Sequence, residues 1–333
     1  RSAETLVAMS NTSKTFVQEG APVYALHDID LEIRVGETVA LVGESGSGKS
    51  TLAKVLLGIH APDDGAVIAL SGKGLAAKVE KRTQGEIGAI QMVFQNPDSA
   101  LNRRHSVRRI IGRAVRLLRR EGRKQTDDRT KKLLKEVRMG TQHFLAKPRQ
   151  LSGGLKQRVA IARAFAGTPA LVICDEPTSA LDVSVQAAII NLLAELQAEE
   201  NVSYLFISHD LNVVRYIADR VAVMYLGRLM EVGTSTRVFA GPHHPYTEAL
   251  LSASPDLEED TRIRLEGDIP AASNPPSGCV FQTRCPRKIG EICETIEPVL
   301  EEAEPGWFKR CHIPIEELRL IQSRSSGQPR TPA

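Results

Sequence analysis

The run Gly43–Thr51 reads GESGSGKST and directly follows the apolar stretch Thr38–Val42, TVALV. That juxtaposition constrains the fold more than any other feature of the chain. TVALV has the length and character of a buried strand, and Ser50–Leu57 reads as a helix that stops at Gly58. Between them Gly43, Gly46 and Gly48 let the backbone turn tightly, so that its N–H groups face inward around an anion. The helix adds the positive end of its dipole. Glu44, Ser45, Ser47 and Thr51 complete the loop, Lys49 supplies a point charge for the β and γ phosphates, and the Ser50 hydroxyl suits Mg²⁺. A glycine-rich turn before an ordinary helix would need only part of this pattern. The full GxxxxGKS spacing between a strand and a helix predicts a nucleotide-binding P-loop on an α/β sheet.

Such a loop needs an acidic partner for its metal, and Ala170–Glu176 (ALVICDE) supplies one. Leu171 to Cys174 read as a buried strand that carries Asp175 to the carboxyl end of the sheet, within reach of Mg²⁺ through water. Glu176 stands beside it, where a carboxylate can polarise an attacking water. Alone, the pair would read as a solvated strand cap before Pro177; the upstream loop reverses that preference.

Four more motifs follow: Gln95 in VFQNP, Leu151–Gly154 (LSGG), Ser179–Asp182 (SALD) and His209 in ISHD. With the loop and CDEP they resemble, in order and spacing, the Q-loop, signature, D-loop and H-loop of ABC transporter nucleotide-binding subunits, and the resemblance spans residues 4–320. It implies an α/β P-loop ATPase of ABC type with an antiparallel β edge, a helical subdomain and a loop-rich C-terminal cysteine appendage. It also implies a head-to-tail pair of subunits, each ATP lying between one subunit's phosphate loop and the other's signature. Ser152, Gly153 and Gly154 open a helix expected to run to about Ala166. A Ser-Gly-Gly start leaves N–H groups and a hydroxyl for a γ-phosphate arriving from outside. By the same resemblance Glu176 activates water, His209 contacts the γ-phosphate, and Gln95 joins Ser50 and Asp175 at Mg²⁺ and links it to the membrane partner. Asp182 joins the nucleotide-binding set, and Phe16 in SKTF, or alternatively Tyr24, stacks on adenine. Two departures stand out: Leu155 follows the signature where the family more often has a polar or flexible residue, and SALNRR replaces an SLNP-type sequence after the Q-loop.

The stretches GKSTLAKVLLG, VFQNPDSALN and GPHHPYTEALLSASP (241–255) are similar to the ATPases of bacterial oligopeptide and dipeptide importers, in particular the member usually encoded second. That similarity implies two integral-membrane permease subunits, a second ABC ATPase with a heterodimer favoured over a homodimer, and an extracytoplasmic solute-binding protein as an indirect partner. It implies a peripheral position on the cytoplasmic face of the inner membrane, a peptide or related small solute as cargo, and no nucleic-acid partner. From spacing alone HPYT is only a Pro-bounded helix start over Tyr246–Leu251. The rival class is a soluble ABC ATPase acting on ribosomes or nucleic acid; the chain shows neither a second such domain nor a long coiled coil.

Composition fits a water-exposed α/β protein. At 333 residues and 42% hydrophobic content the chain suits one large domain plus an appendage. No apolar run approaches the ~20 residues of a membrane span, and no secretory signal is read. The first residue is Arg1 rather than Met, which reads as a trimmed or processed chain or part of a longer polypeptide. Charge is uneven: residues 103–138 hold fifteen Lys/Arg against four acidic residues, +11 where the whole chain is +3. The bland reading is a solvated helical face with Val107, Ile110, Ile111, Val115 and Leu118 turned inward. The sharper one is a basic surface near anionic headgroups; nucleic-acid binding ranks last, because interleaved aromatics are absent.

Four of the five cysteines lie near the C-terminus, Cys279, Cys285, Cys293 and Cys311, spaced C-x₅-C-x₇-C-x₁₇-C among prolines and glycines. A loop-rich segment of that kind has little core of its own and benefits from a cross-link. Disulfides are disfavoured for an ATPase of the reducing cytosol. Zinc lacks the short CxxC hairpins usual for it. A four-thiolate [4Fe–4S] cluster tolerates wider spacing, and SGCVFQTRCP resembles peptide-importer ATPases of which some hold one, so the cluster stands ahead of zinc and of free thiols. Cys174 reads as a small core residue. The organisation expected is a nucleotide-binding domain over residues 1–255 with its helical subdomain at about 91–165, a cysteine segment over 256–322, and a disordered tail over 323–333.

Overall fold

The computed structural model describes residues 4–253 and 262–325. They fall into two compact units, each threaded from separated stretches of chain. Among the described residues the first holds 4–11, 30–39 and 50–208; the second holds 12–29, 40–49, 209–253 and 262–325.

The first unit carries the N-terminal part of strand β1 (Thr5–Gln18), the C-terminal part of β2 (Ala21–Arg34) and the start of β3 (Thr38–Val42). In β2, Ile29, Leu31 and Ile33 are buried while Asp30, Glu32 and Arg34 are exposed, the period-2 alternation of a strand with one face covered. Helix α1 (Lys49–Leu56) follows the phosphate loop, and Gly58 at φ 76° ends that stretch, as the sequence predicts. Strands β4 (Val67–Leu70) and β5 (Lys73–Gly74) complete an antiparallel sheet in the order β2-β1-β4-β5, with Val7 opposite Leu70. This is the expected antiparallel edge.

A second set of strands in this unit is parallel: β6 (Ile90–Val93), β7 (Leu171–Asp175) and β8 (Ser203–Ile207), with Val93 level with Cys174 and Asp175 level with Ile207. All of β8 and Leu171–Cys174 are buried, which is why these strands read as unbroken apolar runs. Helix α2 (Gln84–Ala89) precedes β6 and begins with a Thr83–Glu86 capping box. Between β6 and β7 lie α3 (Pro97–Ala100), α4 (Val107–Arg119), α5 (Arg123–Glu136) and α6 (Gly153–Ala164). The helical region therefore begins after a strand at 90–93, a few residues later than the expected 91. Val107, Ile110, Ile111 and Val115 are buried on α4 and Leu118 is half-buried, so the inward face anticipated for the basic segment is present. Arg108 grips Asp127 on α5 with two bonds of 2.7 and 2.6 Å. Helix α7 (Val183–Glu200) leads back to β8.

The second unit contains the tip of the β1–β2 hairpin, where Glu19 and Gly20 both take positive φ, 50° and 81°, as a two-residue hairpin turn requires. It adds α8 (Leu211–Ile217), β9 (Arg220–Tyr225), β10 (Arg228–Thr234), α9 (Ser235–Ala240) and α10 (Pro245–Ser252). Helix α11 (Ile292–Thr295), β11 (Glu301–Glu304), β12 (Trp307–Lys309) and α12 (Ile315–Ser325) follow. Its strands run in the order β11-β12-β10-β9-β3, and β10 is antiparallel to both β9 and β12.

The cysteine segment does not stand apart as an appendage with little core. Cys279, Val280, Phe281, Cys293 and Trp307 are buried in one cluster with Val42, Val223, Tyr225 and Tyr246. The prolines and glycines of that segment signal the irregular backbone correctly, but they carry no information about what its few apolar residues bury against. Helix α12 reaches Ser325, past the expected start of the tail; residues 326–333 lie outside the described residues.

Candidate nucleotide-binding site

The phosphate motif is continuous in the chain, with Gly43–Lys49 in the second unit and Ser50 and Thr51 in the first. Within the second unit the loop is held from below. Gly43 takes φ 149°, and a Cβ there would lie 2.1 Å from the Met224 carbonyl oxygen, so no other residue fits the approach to β9. The Gly227 N–H donates to the Ser47 carbonyl at 2.9 Å. Lys49 is buried, and its ammonium donates to the carbonyls of Gly43 and Glu44, both at 2.8 Å, and to Ser47 Oγ at 3.1 Å. Those bonds aim the charge into the concavity of its own loop. Ser45 and Gly46 are exposed at its rim.

Glu44 is placed differently from its neighbours. Its N–H donates to the Tyr246 hydroxyl at 2.8 Å, and its carboxylate accepts two bonds from the Arg284 guanidinium, 2.7 and 3.1 Å. Both of its polar ends are thus engaged inside the second unit. Neither Tyr246 nor Arg284 belongs to the nucleotide site foreseen from sequence, although both sit in stretches (HPYT and SGCVFQTRCP) that stood out for other reasons.

In the first unit β7 delivers the two acidic residues together. The Ser50 hydroxyl donates to Asp175 Oδ1 at 3.4 Å, and Gln95 Nε2 donates to Glu176 Oε2 at 2.8 Å. Glu176 adopts a left-handed φ of 45°, and its N–H donates to the Ile207 carbonyl at 2.9 Å. A non-glycine residue held in that region is strained, and the strain turns the side chain away from the strand direction toward Gln95. Ser50 and Gln95, distant from each other and from β7 in sequence, are thereby each paired with one of two consecutive acidic residues, and their oxygen donors suit a hard divalent cation.

The signature residues sit where the helix-start reading put them. Ser152 caps α6, its Oγ accepting the Leu155 N–H at 3.4 Å, and Ser152 and Gly153 are exposed. A Cβ on Gly154 would lie 2.6 Å from Val185 Cγ1, so the last signature position is glycine for close packing of α6 on α7. Asp182 is exposed at the N-cap of α7 without capping it. In the second unit His209 is exposed, just before Asp210, whose Oδ1 accepts the N–H groups of Asn212 and Val213. Phe16 is half-buried with Lys14 Nζ 5.2 Å from its ring centre, and Tyr24 is exposed.

The four C-terminal thiols lie within electrostatic reach of one another. Burial pushes Cys285 up to about 12 and Cys311 up to about 11, and charge on the neighbouring thiols pushes in the same direction. The donor type suits a soft metal centre. Among the described residues, however, no group of three or more His, Cys, Asp or Glu side chains is arranged to hold a metal ion, so the geometry lends the [4Fe–4S] expectation no support.

Residues 26–179 match the family described as ABC transporter, and residues 230–293 match the oligopeptide/dipeptide transporter C-terminal region. The chain is 44% identical over 300 residues to a putative oligopeptide transport ATP-binding protein, YkfD of Bacillus subtilis, covering 87% of this chain and 90% of the relative. It is 44% identical over 292 residues to the oligopeptide transport ATP-binding protein OppF of Salmonella typhimurium, covering 86% and 87%. Among solved structures it resembles cbiO1 from Clostridium perfringens, part of the ABC transporter complex cbiONQ, with a TM-score of 0.63 and 28% identity over 74% of this chain and 95% of that one. It also resembles a dimeric post-hydrolysis state of the ATP-binding cassette MJ0796 bound to ADP and Pi, with a TM-score of 0.61 and 28% identity over 69% and 99%.

The chain belongs to the ABC transporter family, among the ATP-binding subunits that carry the oligopeptide/dipeptide C-terminal region. It is an ATP-hydrolysing transporter subunit, and the ribosome- or nucleic-acid-acting alternative is not favoured.

Proposed function

We propose that this subunit powers import of peptides, or of a related small solute, through a separate membrane permease. Its import part rests on the match of residues 230–293 to the oligopeptide/dipeptide transporter C-terminal region, and its ATPase part on the pairing of Ser50 with Asp175 and of Gln95 with Glu176 at the end of β7. In it, Gly43–Thr51 hold the triphosphate, with Lys49 on the β and γ phosphates. Ser50, Asp175 and Gln95 hold Mg²⁺, which supplies charge neutralisation at the phosphates. Glu176 takes the proton of the attacking water, and His209 contacts the γ-phosphate. Phe16 stacks on adenine. Ser152, Gly153, Gly154 and Asp182 serve the nucleotide of the opposing subunit. The exposed first turn of α6 supports that last assignment, since its donors and dipole face outward.

Two permease subunits, a second ABC ATPase forming a heterodimer, and an extracytoplasmic solute-binding protein complete the proposed importer. Among the described residues no helix is long and apolar enough to cross a membrane. A peripheral position on the cytoplasmic face of the inner membrane draws support from α4. Its apolar side is buried, while Arg109, Arg113 and Arg116, with Arg120 just beyond, are exposed at helical spacing. Cys279, Cys285, Cys293 and Cys311 are the proposed donors of a [4Fe–4S] cluster, with zinc as the alternative. The reading is carried by donor type and by the resemblance of SGCVFQTRCP alone, and metal analysis of anaerobically purified protein tests it.

The test of the ATPase assignment is Glu176→Gln. The variant is expected to bind ATP normally and to lose roughly 10²–10⁴-fold in turnover, the usual contribution of a general base. Wild-type turnover in that variant removes Glu176 from the role.

A further inference from the structure

We infer that Arg284 and Tyr246 are positioning residues of the phosphate loop, so that the C-terminal segment sets the loop's affinity for nucleotide. The inference rests on the assignment of Gly43–Thr51 to the phosphates of ATP. All of its parts lie in the second unit.

Tyr246 is fully buried, and its hydroxyl accepts the Glu44 N–H; Arg284 is nearly buried, and its fork spans both Glu44 carboxylate oxygens. A bidentate guanidinium–carboxylate pair fixes orientation as well as distance, which a point charge does not. Glu44 is next to Gly43 and shares in holding Lys49, whose ammonium bonds both the Gly43 and the Glu44 carbonyls. A displacement of Glu44 therefore moves two of the oxygens that aim the lysine.

The clamp itself has no slack. Arg287, three residues after Arg284, grips Glu248 on α10 with bonds of 2.9 and 2.7 Å, and α10 is the helix that carries Tyr246. The two arms are thus tied together before either reaches the loop. Beneath them Tyr225, Tyr246 and Phe281 form an aromatic triangle with ring centres 4.8 to 5.2 Å apart, and the Arg284 guanidinium lies 6.0 Å from the Tyr225 ring. The start of α10 is itself fixed by His244, whose Nδ1 accepts the Tyr246 N–H at 3.0 Å and whose Nε2 donates to the Arg310 carbonyl at 3.1 Å. A tyrosine needed only for the core would not have to carry its hydroxyl to a backbone N–H of the loop. An arginine needed only for solubility would not be buried on a loop carboxylate.

The experiment is ATP·Mg binding by calorimetry and steady-state ATPase kinetics on full-length Arg284→Ala, Arg284→Lys, Tyr246→Phe, Glu44→Ala and the Glu44→Ala/Arg284→Ala double variant, each with its melting temperature. Loss of a charge-assisted fork is expected to raise Kd and KM for ATP roughly 5- to 20-fold in Arg284→Ala, with kcat at saturation within about twofold. Arg284→Lys recovers part of this. Tyr246→Phe, which removes one hydroxyl and leaves the core intact, raises Kd by roughly 2- to 5-fold. The double variant is no worse than either single one, because all of them break the same contact. A role in stability alone would lower the melting temperature and the active fraction and leave Kd and KM unmoved. Values within 1.5-fold of wild type for both Tyr246→Phe and folded Arg284→Ala overturn the inference, as do additive effects in the double variant; this threshold is about the resolution of such a measurement, roughly 0.2 kcal/mol. Lys49→Ala run alongside separates the two layers: if it binds ATP like wild type, it is the loop assignment that fails.

Discussion

Lys49 shows how a single side chain can be read from sequence in its role but not in its support. Its position after Gly48 predicts a charge for phosphate, and the structure adds three loop oxygens that hold the ammonium at 2.8 to 3.1 Å. Lys49→Ala removes both the charge and the loop's internal tie, so ATP affinity is expected to fall by roughly 10- to 100-fold, matching a charge-assisted contact of about 1.5–3 kcal/mol. Unchanged affinity in a direct binding measurement would remove the loop from its role. Asp175, Glu176, Gln95 and Ser50 each lie in a short motif whose chemistry is local, and the structure brings them into pairs. Arg284 was not legible in that way. It is separated from Glu44 by 240 residues and Tyr246 by 202, and a lone sequence gives no reason to join them. The adenine partner is the opposite case: SKTF draws attention to Phe16, yet the structure gives that ring a lysine neighbour and no contact that decides between it and Tyr24.

Among the elements, the strands were the most readable and the C-terminal helices the least. TVALV, LVICD and SYLFI are short apolar runs bounded by polar or turn residues, and each is a buried strand of five residues. Helix α4 was legible through its 3–4 spacing of Val107, Ile110, Ile111 and Val115. Helix α10 was located to within a residue at each end, but its cap was missed. Proline at its first position suggested the start, whereas the acceptor for the free N–H is the His244 ring rather than a Ser, Thr, Asp or Asn side chain. His244→Ala strips that acceptor from a buried site and leaves the Arg310 carbonyl without its donor. A loss on the order of 2 kcal/mol is expected in urea unfolding, with His244→Asn recovering part of it through its own capping oxygen. Equal stability of His244→Ala and wild type would show that the helix start is held by Pro245 and packing alone. On α4 the prediction concerns the other face: replacing Arg109, Arg113 and Arg116 by Glu should abolish salt-sensitive binding to vesicles rich in anionic lipid while the buried face keeps the fold. Retention of that binding would take the basic face out of membrane attachment.

At the scale of the whole molecule the balance of titrating groups matters more than the net charge of +3. Two fully buried groups of the second unit oppose each other. Burial lifts the Glu231 carboxyl to about 7, against the neighbouring Thr247 hydroxyl, hydrogen bonds from Trp307 and the His244 N–H, and the charge of Arg237. Burial pushes the His244 ring down to about 3, with the Arg310 carbonyl opposing and Lys309 adding to the shift. For Glu231 the folded state binds the proton more tightly than the unfolded one, so its contribution is complete below about 4.5 and is lost as pH rises through about 7. For His244 the unfolded state binds the extra proton, so its contribution is present above about 6.5 and is lost as pH falls toward about 3. Between about 4.5 and 6.5 the two slopes oppose, and above that window only the Glu231 slope remains. Glu231→Gln deletes one slope and keeps the other. The unfolding free energy of wild type minus that of Glu231→Gln is therefore expected to shrink by on the order of 3 kcal/mol between pH 4.5 and 7.5, the equivalent of the carboxyl shift. The variant alone should also lose stability more steeply than wild type as pH falls below about 6.5, because the charging of His244 is no longer offset. Urea titrations of both proteins across this range measure the difference directly. A gap that stays constant with pH would mean that Glu231 is ionised in the folded protein throughout, its charge carried by the Trp307 and His244 donors and by Arg237.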